Sequence, residues 1–242
     1  MKTVSALVLG HLRLFRVGYV SSAVFYAVYG VVFAIFFYNT VFDDDELRFL
    51  ADLVVVSFMQ ILGLGFNKFN LSNPFRSDPY TRLMRVLRML PIPTEHLAAA
   101  RMIPIFLLSA VNLFLLYVPA YGIYSNIHEA ITFPQLLSYL FLLYLACVAF
   151  ACFYAYLEIG FGGRVYFVVS LILISGIIAV TVVLGLNGFH LSGWLLQRVQ
   201  DGMSPMVYVA STAVTALIIY MLWRLSSRRL AHRDYYDYRA VS

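Results

Sequence analysis

Apolar residues run in long blocks along this chain of 242 residues, and short polar intervals separate them. In a bilayer the backbone polar groups of a crossing segment must be satisfied internally, so a helix needs roughly 17–25 mostly apolar residues to span it. Six blocks meet that length: about residues 17–38, 49–66, 102–124, 136–157, 165–186 and 206–223. The second is the weakest, with Asp52 near its start and Gln60 within it. Residues 1–16 carry a different pattern. Val4, Leu7, Val8, Leu12 and Phe15 crowd one side of a helix while Arg13 and Arg16 lie on another, the layout of a helix that rests in the membrane interface. The expected fold class is an all-α membrane protein: a single transmembrane domain over 1–242, with six transmembrane helices and an N-terminal interfacial helix. No cleaved signal peptide is read. The short apolar stretch after Lys2 meets His11, Arg13 and Arg16 at once, without a small-residue cleavage site.

The interval 67–101 is the longest between two spans and has its own internal pattern. Asp78 suits an N-cap and Pro79 the first helical position. The helix they start should stop before Pro91, whose ring clashes with a continuing helix. Between these prolines, Arg82, Arg85 and Arg88 fall on one side, and Leu83, Val86, Leu87 and Leu90 on the other. Pro91-Ile92-Pro93 makes a stiff turn, and a second helical run from Glu95 to Arg101 feeds the third span. Periodicity alone admits two readings of this short amphipathic helix: it lies on lipid headgroups, or it docks on a protein partner. The interval 187–205 faces the other side and carries Trp194, which suits an interface.

Charge distribution adds an orientation. Only 12% of the residues are charged, against roughly 25% in a typical soluble domain, and 62% are hydrophobic, so the bilayer must solvate much of the exterior. With the N-terminus inside, 15 of the 17 lysines and arginines fall in inner segments, and only Arg48 and Arg198 fall outside. Of the acids, Asp43, Asp44, Asp45, Glu46, Asp52, Glu129 and Asp201 fall outside. Both termini are therefore expected in the cytoplasm, in a multi-pass protein of the plasma membrane, most simply a bacterial one. The net charge of +5 reflects this asymmetry and calls for no nucleic-acid partner. The basic tail is expected to touch anionic membrane lipid.

Chemistry-bearing motifs are few. No G-x-x-x-x-G-K-[ST] loop and no H-E-x-x-H helix occurs, and the five histidines are scattered. The 2 cysteines, Cys147 and Cys152, form neither a disulfide framework nor a metal-ligand pattern, so no metal and no catalytic residue is assigned. Gly160 to Arg164 reads as a tight inner turn. Polar residues within the spans, among them Ser21, Ser22, Ser109, Ser170 and Thr181, usually serve helix packing. Gln60 and Asn112 are the costliest to bury and should face the bundle interior or a cavity. Glu158 ends the fourth span, where an arginine partner is expected. No intramembrane charge cluster is apparent. The first span is rich in aromatic residues, which either bind an apolar substrate or, as such rings more often do, pack against lipid or neighbouring helices.

The segment Asp78 to Ile103, DPYTRLMRVLRMLPIPTEHLAAARMI, resembles the corresponding loop of ABC-2-type transporter permeases, through its leucine-and-basic helix, the turn Leu90-Pro91-Ile92, and Arg101 before the third membrane helix. The layout of the whole chain is loosely similar. The resemblance implies that Tyr80 to Leu90 forms a coupling helix seated in a groove of an ABC ATPase subunit. Leu83, Leu87 and Leu90 would anchor it, and Arg82, Arg85 and Arg88 would pair with acidic groups at the rim, with Tyr80 at its start. It also implies that helices two and five line a translocation path, which favours Gln60 and Ser175, joined by Asn112, as wall residues. The chain would bind no cofactor itself; ATP and Mg would sit in the partner ATPase. A second permease copy or a homologous permease would complete a homo- or heterodimer. The outer loop would dip back as short helices, or remain a simple interfacial loop. The expected function is that of the non-enzymatic permease subunit of an exporter for an amphipathic or hydrophobic cargo. A membrane scaffold or assembly factor and an intramembrane enzyme are the alternatives.

Overall fold

The computed structural model describes residues 2–42, 45–64, 91–161 and 163–232. Among them the chain is helical: α1 (Lys2–Leu14), α2 (Arg16–Phe42), α3 (Asp45–Met59), α4 (Thr94–Ile123), α5 (Ser125–Ala130), α6 (Phe133–Gly160), α7 (Gly163–Leu186), α8 (Leu191–Gln200) and α9 (Pro205–His232). Five of these, α2, α4, α6, α7 and α9, are long and apolar enough to cross a membrane. The chain is thus an all-α, multi-pass membrane protein. Pro104 and Pro119 lie inside α4, a placement that membrane helices tolerate when neighbours serve the freed backbone groups.

α4 and α6 are the central pair. α2 lies along α4 and runs parallel to it, since successive contacts advance together on both helices. Ser22 meets Asn112, Gly30 meets Leu115 and Leu116, Phe33 meets Tyr117, and Tyr38 meets Tyr124. Gly30 permits this approach: a Cβ there would stand 2.5 Å from the Leu115 carbonyl oxygen. α9 covers α6 and part of α4, α1 crosses the start of α4, and α7 joins the bundle through α3 and α6. The largest core gathers Tyr26, Phe33, Phe37, Tyr117, Tyr139 and Leu143. Two smaller cores lie toward the opposite end, around Ile105, Ala151 and Tyr154 and around Leu97, Ile159 and Leu230. Along α7 only Thr181 is buried, while Leu171, Ile172, Val180 and Val183 are exposed, a surface suited to lipid.

The antiparallel layout separates the charges by end. α1, the start of α4, the α6–α7 turn and the end of α9 meet at one end, with Arg13, Arg16, Arg101, Arg164, Arg224, Arg228 and Arg229; this is the basic end. Asp52, Glu129 and Asp201 lie toward the other.

The second expected span departs from a single helix. α3 stops at Met59, and residues 60–64 follow as tight turns, with Ile61 and Leu62 both donating to the Phe58 carbonyl and Leu64 to that of Ile61. Even so, the segment travels far. Phe49 lies against Gly185 near one end, and Leu64 packs with Met102 and Ile105 toward the basic end. Because α2 and α4 run parallel, the chain must return between them, and α3 with its turns makes most of that return. The helix expected over residues 1–16 is α1. The interval 187–205 contains α8, and α4 begins at Thr94, so the run from Glu95 to Arg101 is continuous with the third long helix. Tyr80, Arg82, Leu83, Arg85, Leu87, Arg88 and Leu90 lie outside the described residues.

Candidate functional site

A helix that breaks inside a bilayer exposes carbonyls and N–H groups with no water to serve them, and the surrounding side chains must do so. The break after Met59 is served in this way. Asn112 of α4 donates from Nδ2 to the Leu62 carbonyl at 2.7 Å and to Ser22 Oγ of α2 at 3.1 Å. Gln60 donates to the Val56 carbonyl at 3.4 Å and accepts from the Tyr154 hydroxyl of α6 at 3.0 Å. Ser22, Gln60, Ser109 and Asn112 are all fully buried. Gly63 sits where no side chain fits: a Cβ would meet Ala151 Cβ at 2.4 Å and Ser109 Oγ at 2.6 Å.

Helical spacing explains why these groups converge. On α4, Arg101, Ile105, Ser109 and Asn112 recur at three or four residues and share one face. On α6, Cys147, Ala151, Tyr154 and Glu158 do the same. The two stripes face each other, and the end of α3 is wedged against both. Toward the basic end the seam closes with an ion pair. Arg101 donates from Nε to Glu158 Oε1 at 3.0 Å and from Nη2 to Oε2 at 2.7 Å, and the residues are only 4% and 5% exposed. Glu158 was expected to find an arginine partner, and that partner is Arg101. The two ions neutralise each other, and a fork-to-fork geometry is the strongest form such a pair takes. His11 of α1 lies near Arg101, tilted against Phe15 with ring centroids 4.4 Å apart. Burial, and then the Arg101 charge, lower its pKa to about 3, so its ring is neutral at physiological pH.

Two further links tie the start of α4 to α9. Trp223 donates from Nε1 to the Glu95 carbonyl at 3.1 Å, and Arg224 reaches Glu95 Oε1 at 3.4 Å on the surface. At the other end of α3, Asp52 is buried and accepts from the backbone N–H groups of Leu191 and Ser192 at 2.7 and 2.8 Å, and from the Ser192 hydroxyl. The carboxylate thus sits at the N-terminus of α8, where the helix dipole favours a negative charge. The far end of α8 is tied as well, since Gln200 donates to the Ala130 carbonyl at 3.0 Å and accepts from Gln135 at 3.3 Å.

Of the three path residues named from sequence, Gln60 and Asn112 therefore meet at one seam, while Ser175 lies apart on the exposed face of α7. Tyr154 and the Arg101–Glu158 pair were not among them. Tyr154 was signalled by its spacing to Glu158 on one face of α6, while nothing in the sequence marked Arg101 as the arginine that reaches Glu158. Among the described residues, no group of three or more His, Cys, Asp or Glu side chains is placed to hold a metal ion. The seam supplies hydrogen bonds and charge neutralisation, and it joins α2, α3, α4 and α6 mechanically. Comparison of the chain with family models, characterised proteins and solved structures finds no match.

Proposed function

We propose that the chain is the membrane-spanning permease subunit of an ATP-driven ABC exporter, moving an amphipathic or hydrophobic cargo out of the cell. One observation carries most of the weight. The interval that resembles a coupling loop is flanked by Leu64 and Pro91, and both flanks adjoin the buried seam. Leu64 follows the break held by Gln60, Leu62 and Asn112. Thr94 starts the helix that carries Arg101, clamped to α6, and Glu95, tied to α9. A push on this loop would act on α3 and α4 together, and through them on α2, α6 and α9. Packed interfaces of this kind switch between discrete arrangements, which is what alternating access requires.

In this reading the basic end is cytoplasmic, α3 with its turns completes a sixth crossing, and both chain ends lie inside. ATP and Mg bind in a separate ATPase subunit, which seats the helix of Tyr80 to Leu90. Two permeases and two ATPases make the working unit, in a bacterial plasma membrane. Mild-detergent purification of the tagged chain from its native membrane, followed by mass spectrometry, tests this. A stoichiometric ATPase with a phosphate-loop motif is expected, and it should be lost when Leu83, Leu87 or Leu90 is changed to Asp. Intact membrane protein without such a companion would overturn the reading and favour a scaffold.

A further inference from the structure

α8 is a short helix with a wet side and a dry side. Its dry side roofs a chamber of about 310 Å³, walled by Met59 of α3, Leu143 and Ala146 of α6 and Val207 of α9, with Leu195 above and Met203 beside it. That volume is typical of ligand pockets, which are mostly apolar with a few polar groups at one side. Water would find almost no hydrogen-bonding partner in this lining. On the other side of α8 a second pocket of about 390 Å³ is lined by Thr40, His190, Gln197 and Gln200, and the Trp194 ring borders both. Arg198 stands over that ring, 5.8 Å from its centroid. The roof is fixed at both ends, by Asp52 on its N-terminus and by Gln200 on Ala130 and Gln135.

We infer that this chamber binds one acyl chain of a glycerolipid from the adjacent leaflet, with the lipid's polar part at the level of α8. The match is one of polarity. The chamber's lining beside α3 is mostly apolar, while the hydrogen-bonding pocket lies on the other side of α8, with Trp194 bordering both and Arg198 over its ring, a placement that suits an interfacial tryptophan. The inference needs only that the helices cross a bilayer and is independent of the exporter reading.

Photolabelling tests it. The full chain is placed in phosphatidylcholine nanodiscs containing a phosphatidylcholine with a mid-chain diazirine, irradiated, and mapped by mass spectrometry. Adducts at Met59, Leu143 and Ala146 should exceed severalfold those at Leu171 and Ile172 on the open face of α7, which measure ordinary lipid contact. Ala146→Phe fills the chamber and should lower its adducts without changing those on α7. Val207→Phe acts from an exposed position and carries the test where the first variant fails to fold. Chamber adducts no more frequent than those on α7, or undiminished in both variants, would overturn the inference. Recovery of an ATPase companion bears on the proposed function alone, so the two can fail separately.

Discussion

A charge buried in a bilayer is tolerated when its partner is present, and it is costly once the partner is gone. Arg101 and Glu158 show the arrangement at its most exposed to that rule, because both are nearly inaccessible and bound through two hydrogen bonds. Arg101→Met should destabilise the protein by about 3–5 kcal/mol, the usual cost of stranding one member of a buried pair. Glu158→Met should do the same. The double variant should recover most of the loss, since two apolar side chains replace a pair whose attraction mainly offsets its own desolvation. Thermal unfolding of the four proteins in one detergent gives the ranking; a double variant as unstable as the worse single one would show that the pair contributes a net attraction. Half of this pair was readable in the sequence. Glu158 at the end of an apolar block demands a cation, but Arg101 lay at the end of a loop and gave no sign of which arginine would reach it. Gln60 and Asn112 were readable for a simpler reason: amides in apolar blocks must turn inward. Ser175 shows the limit of that argument, because a serine can satisfy its hydroxyl on its own helix and so face either way.

Short helices at the bundle ends have few points of attachment, so each has a specific weakness. α8 depends on Asp52 for its N-terminus. Asp52→Ala removes the acceptor for two backbone N–H groups and a hydroxyl, and hydrogen exchange over Leu191–Gln200 should accelerate while exchange in α4 stays unchanged. Unchanged protection in α8 would mean that Leu196 and Val199, buried in the main core, suffice to hold it. Nothing in the sequence singled out Asp52 for this role, since its partners lie 139 and 140 residues away along the chain. α1 depends on a neutral His11. The docked ring has its pKa lowered from 6.5 to about 3, so above pH 6.5 the docked and released forms are both neutral and docking is at full strength. Below 6.5 the released ring takes up a proton that the docked ring, beside Arg101, refuses. Docking should therefore weaken by about 1.4 kcal/mol for each further pH unit, down to a pH near 3. Protection of α1 amides at pH 7.5 and 5.5, corrected for intrinsic exchange, measures this. His11→Phe keeps a ring against Phe15 and should remove the dependence; an equal dependence in that variant would assign it to another group.

For the whole molecule, the apolar blocks and the arginine bias made five of the long helices legible, because length and hydropathy alone decide whether a helix crosses a membrane. The second block reads as one continuous spanning helix, whereas α3 ends at Met59 and residues 60–64 follow as turns. Its break is a tertiary effect: the turn after Met59 exists because Asn112 and Tyr154 stand ready to serve it and because Gly63 fits against Ala151. Whether that broken segment completes its passage decides the topology on which the proposed function rests. α2 and α4 run parallel, and the start of α4 is bonded to α6 and α9 at the basic end, so the proposed function requires position 77 on the same side of the membrane as Arg228. Single cysteines at Glu129, Ser77 and Arg228, probed with a membrane-impermeant maleimide on intact cells, test this. Native Cys147 and Cys152 are fully buried and should stay silent. Glu129→Cys should label from outside, while Ser77→Cys and Arg228→Cys should label only after permeabilisation. Labelling of position 77 but not of position 228 on intact cells would put the loop on the wrong side for an ATPase. The break would then mark a segment that enters the membrane and turns back, and the coupling reading would fall with the sixth crossing.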